Sequence, residues 1–343
     1  MIVSRGVGYF RLLKWSWIQI LLLLVCFSAI AVLYYSEIIN IKIPWLPISV
    51  IGTAVAFFVG FKNNQAYDRW WEARKIWGGI INNSRTWGMQ VDGYISNTFN
   101  DKINSDELQA IKQRLIYRHF AWLYTHRNQL LVATPWEHIS QGGATSKLAN
   151  SFQENYGIGL VKDEVSKMKM KNLVSSQELE ELEKAKNRAT QLINVQSRDL
   201  REIRKLKIIE DFRHIELMET LQQFYELQGK NERIKKTPFP RQYATTSRIF
   251  VTIFIILLPF SMIPALMTLG NTGLWLSVPI TTLIAFVYLM MEFTADYTEN
   301  PFQGMANDIP MLSLCRTIEI DLRQMLGEDD LPLPIAAKDD ILM

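Results

Sequence analysis

A chain of 343 residues, 48% of them hydrophobic, with a formal net charge of +3 has a mean hydropathy of +0.02. That value lies between those of soluble enzymes and polytopic membrane proteins and hides two unlike regions, while the near-balanced charge offers no long-range field to nucleic acid or an acidic substrate, so nucleic acid is not expected as a partner and any electrostatic argument must be local. The two cysteines, Cys26 in an apolar run and Cys315 in a polar stretch, leave no disulfide framework and no Cys-x-x-Cys metal site.

The opening MIVSRGVGYFRLLKWSW places positive charge ahead of an apolar run, as a signal peptide does. The run is too long and no small-residue cleavage site follows, so the segment is expected to be retained. Spanning helices are predicted at 17–35 and 45–61, joined by SEIINIKIP, and at 249–270 and 274–293, joined by the uncharged NTG. Each is close to the about 20 apolar residues that cross a hydrocarbon core. Basic residues crowd one side: Arg5, Arg11 and Lys14 before the first span, Lys62, Arg69, Arg74 and Lys75 after the second, and Arg233, Lys235, Lys236, Arg241 and Arg248 before the third. The positive-inside rule then places both termini and the middle segment in the cytoplasm. Length, flanks and charge asymmetry agree against buried helices of a soluble protein. Pro259, Pro264 and Pro279 within the last two spans call for neighbouring helices to accommodate them. The four spans are read as free of charge at mid-depth, which argues against a carrier or membrane enzyme.

The middle region, 62–248, is rich in helix formers and lacks the alternation of strands. Within 108–131, Leu108, Ile111, Leu115, Phe120, Trp122 and Leu123 recur at helical spacings, and one charged helix is predicted from Ser175 or Ser176 through the stretch ending LREIRKL. The polar, glycine-bearing stretch 138–159 reads as a loop; its QGGATSK lacks P-loop spacing, so no nucleotide site is expected. Of the four histidines, His119 and His126 fall near one face of a helix, but no acid or cysteine stands at ligand spacing beside them, and they are read as packing residues. No nucleophile, base and acid pattern stands out, and an enzyme is not expected.

In the second span Thr53, Phe57 and Phe61 form one helical stripe, with Gly52 and Gly60 alongside. Such a stripe suits lipid. It also forms an apolar constriction if several copies surround an axis, since rings of this kind can gate by dewetting and their edges carry partial positive charge. Lys62, Asn63 and Asn64 follow at once, as in a helix that borders water. Arg69, Trp70 and Trp71 are expected to anchor the helix at the membrane boundary rather than touch ions.

The stretches GFKNNQAYDRWWEARKIWGGIINNSR, ERIKKTPFPRQYA (232–244), LLPF (257–260) and ENPFQGMANDIP followed by LCRTIEIDL resemble the bestrophin family in its bacterial branch, in order along most of the chain. The resemblance implies an all-α homopentameric ion channel of a bacterial inner membrane, multi-pass, with four membrane helices per subunit. The expected divisions are 1–61 (N-terminal segment and first two spans), 62–248 (helical cytosolic domain), 249–293 (last two spans) and 294–343 (cytosolic C-terminal segment). It also implies a neck at Thr53, Phe57 and Phe61. Thr53 stands where the family carries a larger apolar residue, so the outermost ring is expected to be wider and more polar. A second, cytosolic aperture is implied near Phe212, with Ile215 beside it, and Asn300, Pro301 and Phe302 are expected to end the fourth helix and pack near the neck. Animal members follow this NPF with a run of acids; here Asp308 is the one acid between Phe302 and Leu314. Calcium takes roughly six to eight oxygen ligands, so no cofactor is expected and calcium dependence is not predicted. Lys62 near the neck favours chloride and other small anions as the permeant partners. Monovalent cations are the alternative within the same architecture, and a pore-less helical scaffold is the alternative of another class.

Overall fold

The computed structural model describes residues 1–6, 9–157 and 170–343. Among the described residues the secondary structure is helical, and strand pairing is confined to isolated bridges, Ile2 with Ile341 and Lys338 with Ile341. The α-helices are α1 (Tyr9–Tyr35), α2 (Trp45–Tyr94), α3 (Ser105–Leu130), α4 (Gly143–Phe152), α5 (Ser176–Glu183), α6 (Arg188–Lys205), α7 (Asp211–Lys236), α8 (Arg241–Met267), α9 (Asn271–Thr298) and α10 (Met311–Met325). They divide into two compact units, one of Ser4–Arg69 and Pro238–Asn300 and the other of Met1–Val3, Trp70–Thr237 and Pro301–Met343.

The first unit contains α1, the first half of α2, α8 and α9. All four of these helices are long and apolar enough to cross a membrane, yet only 22% to 33% of each apolar window is buried within the chain. Leu22, Leu46, Ile256 and Leu283 lie outward and exposed. A core helix of a water-soluble protein would cover such residues; these need lipid or other copies of the chain. Inside the unit, Phe27, Ala31, Val55, Val59, Phe254, Leu258 and Ala285 close the core. Gly52 lets α2 and α8 approach: a Cβ there would lie 2.8 Å from the Phe254 ring, and the Tyr288 hydroxyl donates to the Gly52 carbonyl at 3.0 Å. The chain is a multi-pass membrane protein.

The second unit packs the rest of α2 with α3, α6, α7 and α10 around Trp77, Trp87, Trp122, Phe120 and Phe224, all fully buried. α3 begins where the sequence pattern requires, since Asn104 and Glu107 form a reciprocal capping box. Two expectations are corrected. The charged stretch after Ser175 is two helices, because the Asn187 side chain accepts from Thr190 N and starts α6 afresh. Of the stretch 138–159 expected to be a loop, residues 138–157 are largely helical, with α4 followed by a π-helical turn, Gln153–Gly157. Its Gly142 and Gly143, at φ of 76° and 63°, adopt the left-handed region that opens the helix. Ala149 and Gln153 are its buried anchors, the latter donating to Gln303 O at 2.5 Å. Positions 158–159 lie outside the described residues.

The histidines of α3 are packed among aromatic rings. His126 lies between Trp77 and Trp122, at ring separations of 6.1 and 5.7 Å, and His119 lies between Trp122 and Phe224, at 5.3 and 4.6 Å. The His119 Nε2 pairs with Ser84 Oγ at 2.9 Å and the His126 Nε2 with Asn231 Nδ2 at 3.1 Å. Burial pushes His119 down to about 3 and His126 down to about 4, from the about 6.5 of an unfolded chain. Both imidazoles therefore stay neutral in the folded state, and their contribution is full above the unfolded value and is lost as pH falls toward the folded ones. Acidifying from pH 7 to 4.5 is expected to cost on the order of 5 kcal/mol through these two groups. Melting curves across that range should show a slope that His119→Gln with His126→Gln flattens; equal slopes in parent and double variant would refute the assignment.

Candidate functional site

Helix α2 sorts its residues sharply by side. Ile48, Val55, Val59, Lys62 and Ala66 are buried in the first unit, whereas Thr53 is exposed and Phe57 and Phe61 are 66% and 60% exposed. The neighbouring Phe58 shows the contrast. Its ring packs 4.5 Å from Tyr243 and 5.4 Å from Phe250, so one of two adjacent phenylalanines belongs to the fold and the other points outward. The Thr53 hydroxyl donates to Ser49 O at 2.9 Å, which spends its proton inside the helix and leaves its methyl and oxygen lone pairs outward. Past Phe61 the same helix continues without a break, and its exposed side turns polar through Asn64, Gln65 and Asp68.

Lys62 departs from expectation. It is fully buried, and its ammonium lies 2.5 Å from Glu292 Oε1 on α9. The other Glu292 oxygen accepts from Ser247 Oγ on α8 at 2.6 Å. The lysine therefore points away from the exposed stripe and is neutralised in place. Glu292 is a charge within the fourth predicted span, placed near its end rather than at mid-depth. The two charges lie 230 positions apart, so sequence spacing gave no sign of their meeting. The signal that could have found them is a single acid at one span end and a single base at another, because a charge in lipid seeks a partner. The adjacent Asn63 amide donates to Val59 O and Met291 O, both at 3.0 Å, and completes the tie between α2 and α9.

Helix α9 ends at Thr298, with Glu299 as C-cap. Arg241 donates to Glu299 Oε1 at 2.7 Å, and Asn300 is buried beside it. In the second unit, Phe302 is fully buried with φ of 74°. That backbone is held by Asp308, whose carboxylate accepts from the N–H groups of Phe302 (2.9 Å), Gly304 (2.7 Å) and Ile309 (2.7 Å). Burial pushes the Asp308 carboxyl up, and these backbone donors oppose the shift. The Trp70 indole donates to Asn307 O at 2.9 Å and stacks at 6.3 Å on the more exposed Trp71. Trp70 thus fastens the loop after α9, a role that a membrane-anchoring reading does not include. Arg69 is half-buried. The buried Lys235 and Glu137 pair near the Phe302 carbonyl closes the surroundings.

Phe212 and Ile215, in the first turns of α7, are 75% and 53% exposed. An ordinary packing role for Phe212 is thereby ruled out within the chain.

The chain matches the model of the family described as "Bacterial/Fungal Bestrophin protein" over residues 13–324. It is 26% identical over 297 residues to the voltage-dependent anion channel-forming protein YneE of Escherichia coli (strain K12), covering 87% of this chain and 82% of that one. It is 25% identical over 351 residues to the voltage-dependent anion channel-forming protein RSc3414 of Ralstonia nicotianae, covering 100% of both chains. A crystal structure of a bacterial bestrophin homolog from Klebsiella pneumoniae superposes with a TM-score of 0.70 at 23% identity, covering 91% of this chain and 98% of that one.

Proposed function

The chain belongs to the bacterial and fungal bestrophin family, and on that premise we propose that it forms an ion channel conducting chloride and other small anions. The observation that carries the reading is the outward projection of Phe57 and Phe61, away from the side of α2 that buries Val55, Val59 and Lys62, in a chain whose relatives are named anion channel-forming proteins. Copies of α2, in a homopentamer as the family resemblance implies, set Thr53, Phe57 and Phe61 around a neck. Phe212 and Ile215 form a second constriction, and Asn300, Pro301 and Phe302 lead the chain out of the fourth helix. Ring edges, with their partial positive charge, favour a partly dehydrated anion. The neutralised Lys62 contributes nothing to that preference. Both termini and the helical second unit lie in the cytoplasm of a cell whose inner membrane holds the channel. Opening needs no calcium, since the carboxylate of Asp308 is already engaged by backbone N–H groups.

One observation favours a second reading, a channel for sodium or potassium. The exposed polar side of α2 past Phe61 carries an acid, Asp68, in line with the rings. Reversal potentials of the purified protein in planar bilayers under a sodium chloride gradient decide between the two. A potential near the chloride equilibrium value is expected, one near the sodium value establishes the cation channel, and absence of any current overturns both.

A further inference from the structure

The approach to Phe212 is more ordered electrostatically than its exposure suggests. Helices α6 and α7 meet in a turn whose Ile208 and Ile209 are buried, with Asn100 donating to Leu206 O at 2.7 Å. Lys207 adopts the left-handed region at φ of 55°, which reverses the chain. The reversal brings Arg204, in the last turn of α6, within 2.6 Å of Asp211, the first residue of α7 and the neighbour of Phe212. Both side chains and the Phe212 ring border one open cleft with Phe99, Lys207 and Glu210. Of the other nearby cations, Lys205 pairs with Glu202 at 2.9 Å and Arg213 lies over the rings of Tyr94 and Phe99 at 5.4 and 4.9 Å, while Lys207 borders the cleft without an ion pair to Asp211.

We propose that Arg204 is a selectivity-determining residue of the cytosolic constriction, acting by cancelling in place the carboxylate that Asp211 presents beside Phe212. The inference rests on the reading of Phe212 as that constriction. In an assembly around an axis each copy adds one Asp211 to the same ring, so an unpaired carboxylate would be repeated around the pore and would attract cations and repel anions. Arg204 removes that bias at its source. Because the pair is exposed, removing either member is expected to disturb folding little.

The test uses the full-length protein in planar bilayers, with the sodium-to-chloride permeability ratio read from reversal potentials. Arg204→Ala is expected to raise the ratio by roughly threefold or more, and Asp211→Asn to lower it by a comparable factor. Arg204→Lys, which keeps the charge, and the double variant R204A/D211N should both stay near the parent ratio. If both single variants leave the ratio unmoved, or shift it in the same direction, while Phe212→Ala raises conductance, the role of Arg204 is overturned and the constriction stands. If Phe212→Ala also leaves conductance unchanged, the constriction itself is elsewhere and the inference falls with it.

Discussion

Replacing Phe57 and Phe61 together by alanine is expected to raise single-channel conductance by roughly an order of magnitude, because an apolar ring that narrows a wet path opposes ions mainly by excluding their water. The prediction is unusually clean for an aromatic substitution. Truncating a buried phenylalanine costs about 3–5 kcal/mol, but these two side chains are largely exposed in the chain and fill no internal space. Phe58→Ala serves as the contrast, since its ring packs on Tyr243 and Phe250. That variant should lower the melting temperature and leave the conductance of each open channel unchanged. Recordings in planar bilayers, beside melting curves of the detergent-extracted protein, separate the two effects. A double variant with the parent conductance would mean that Phe57 and Phe61 face acyl chains, and the neck would have to be sought on another helix.

The membrane helices were legible because their signal is local: about 20 apolar residues with basic flanks announce a span whatever the rest of the chain does. The stripe of Thr53, Phe57 and Phe61 was legible for the same reason, as was the continuation of α2 past Lys62, where helix formers keep their period. The start of α5 at Ser175 could be read from its capping box. What escaped depends on partners far along the chain. A lysine beside an exposed aromatic stripe invites an electrostatic role, and only the fold brings Glu292 and Ser247 to it. The stretch 138–159 looked like a loop because its residues are small and polar; the order of 138–157 comes from long-range contacts, such as Gln153 with Gln303, that no local pattern announces. The ion pair of Arg204 and Asp211 crosses a turn whose left-handed Lys207 has no sequence signature of the glycine kind. The family resemblance singled out Phe212, which is exposed, and gave no hint of what lies beside it.

The buried pair in the first unit makes the sharpest prediction for stability. Lys62 and Glu292 are 0% and 4% exposed at the side chain, so each charge depends on the other, and Ser247 holds the second carboxylate oxygen. Removing one member leaves an uncompensated charge where water is scarce, which costs about 3–5 kcal/mol. Lys62→Met and Glu292→Leu are therefore each expected to lower the melting temperature and the yield of folded protein sharply. The double variant should recover most of the loss, because replacing both partners of a buried pair by apolar groups of similar volume is often neutral. It should also keep the parent permeability ratio, since the lysine lies on the packed side of α2 and Phe57 and Phe61 on the other. Two results count against this account. A double variant as unstable as the sum of the singles would mean that the charges act separately. A Lys62→Met protein with normal stability and altered ion preference would put the ammonium in the permeation path, and the face of α2 that lines the pore would have to be redrawn around it.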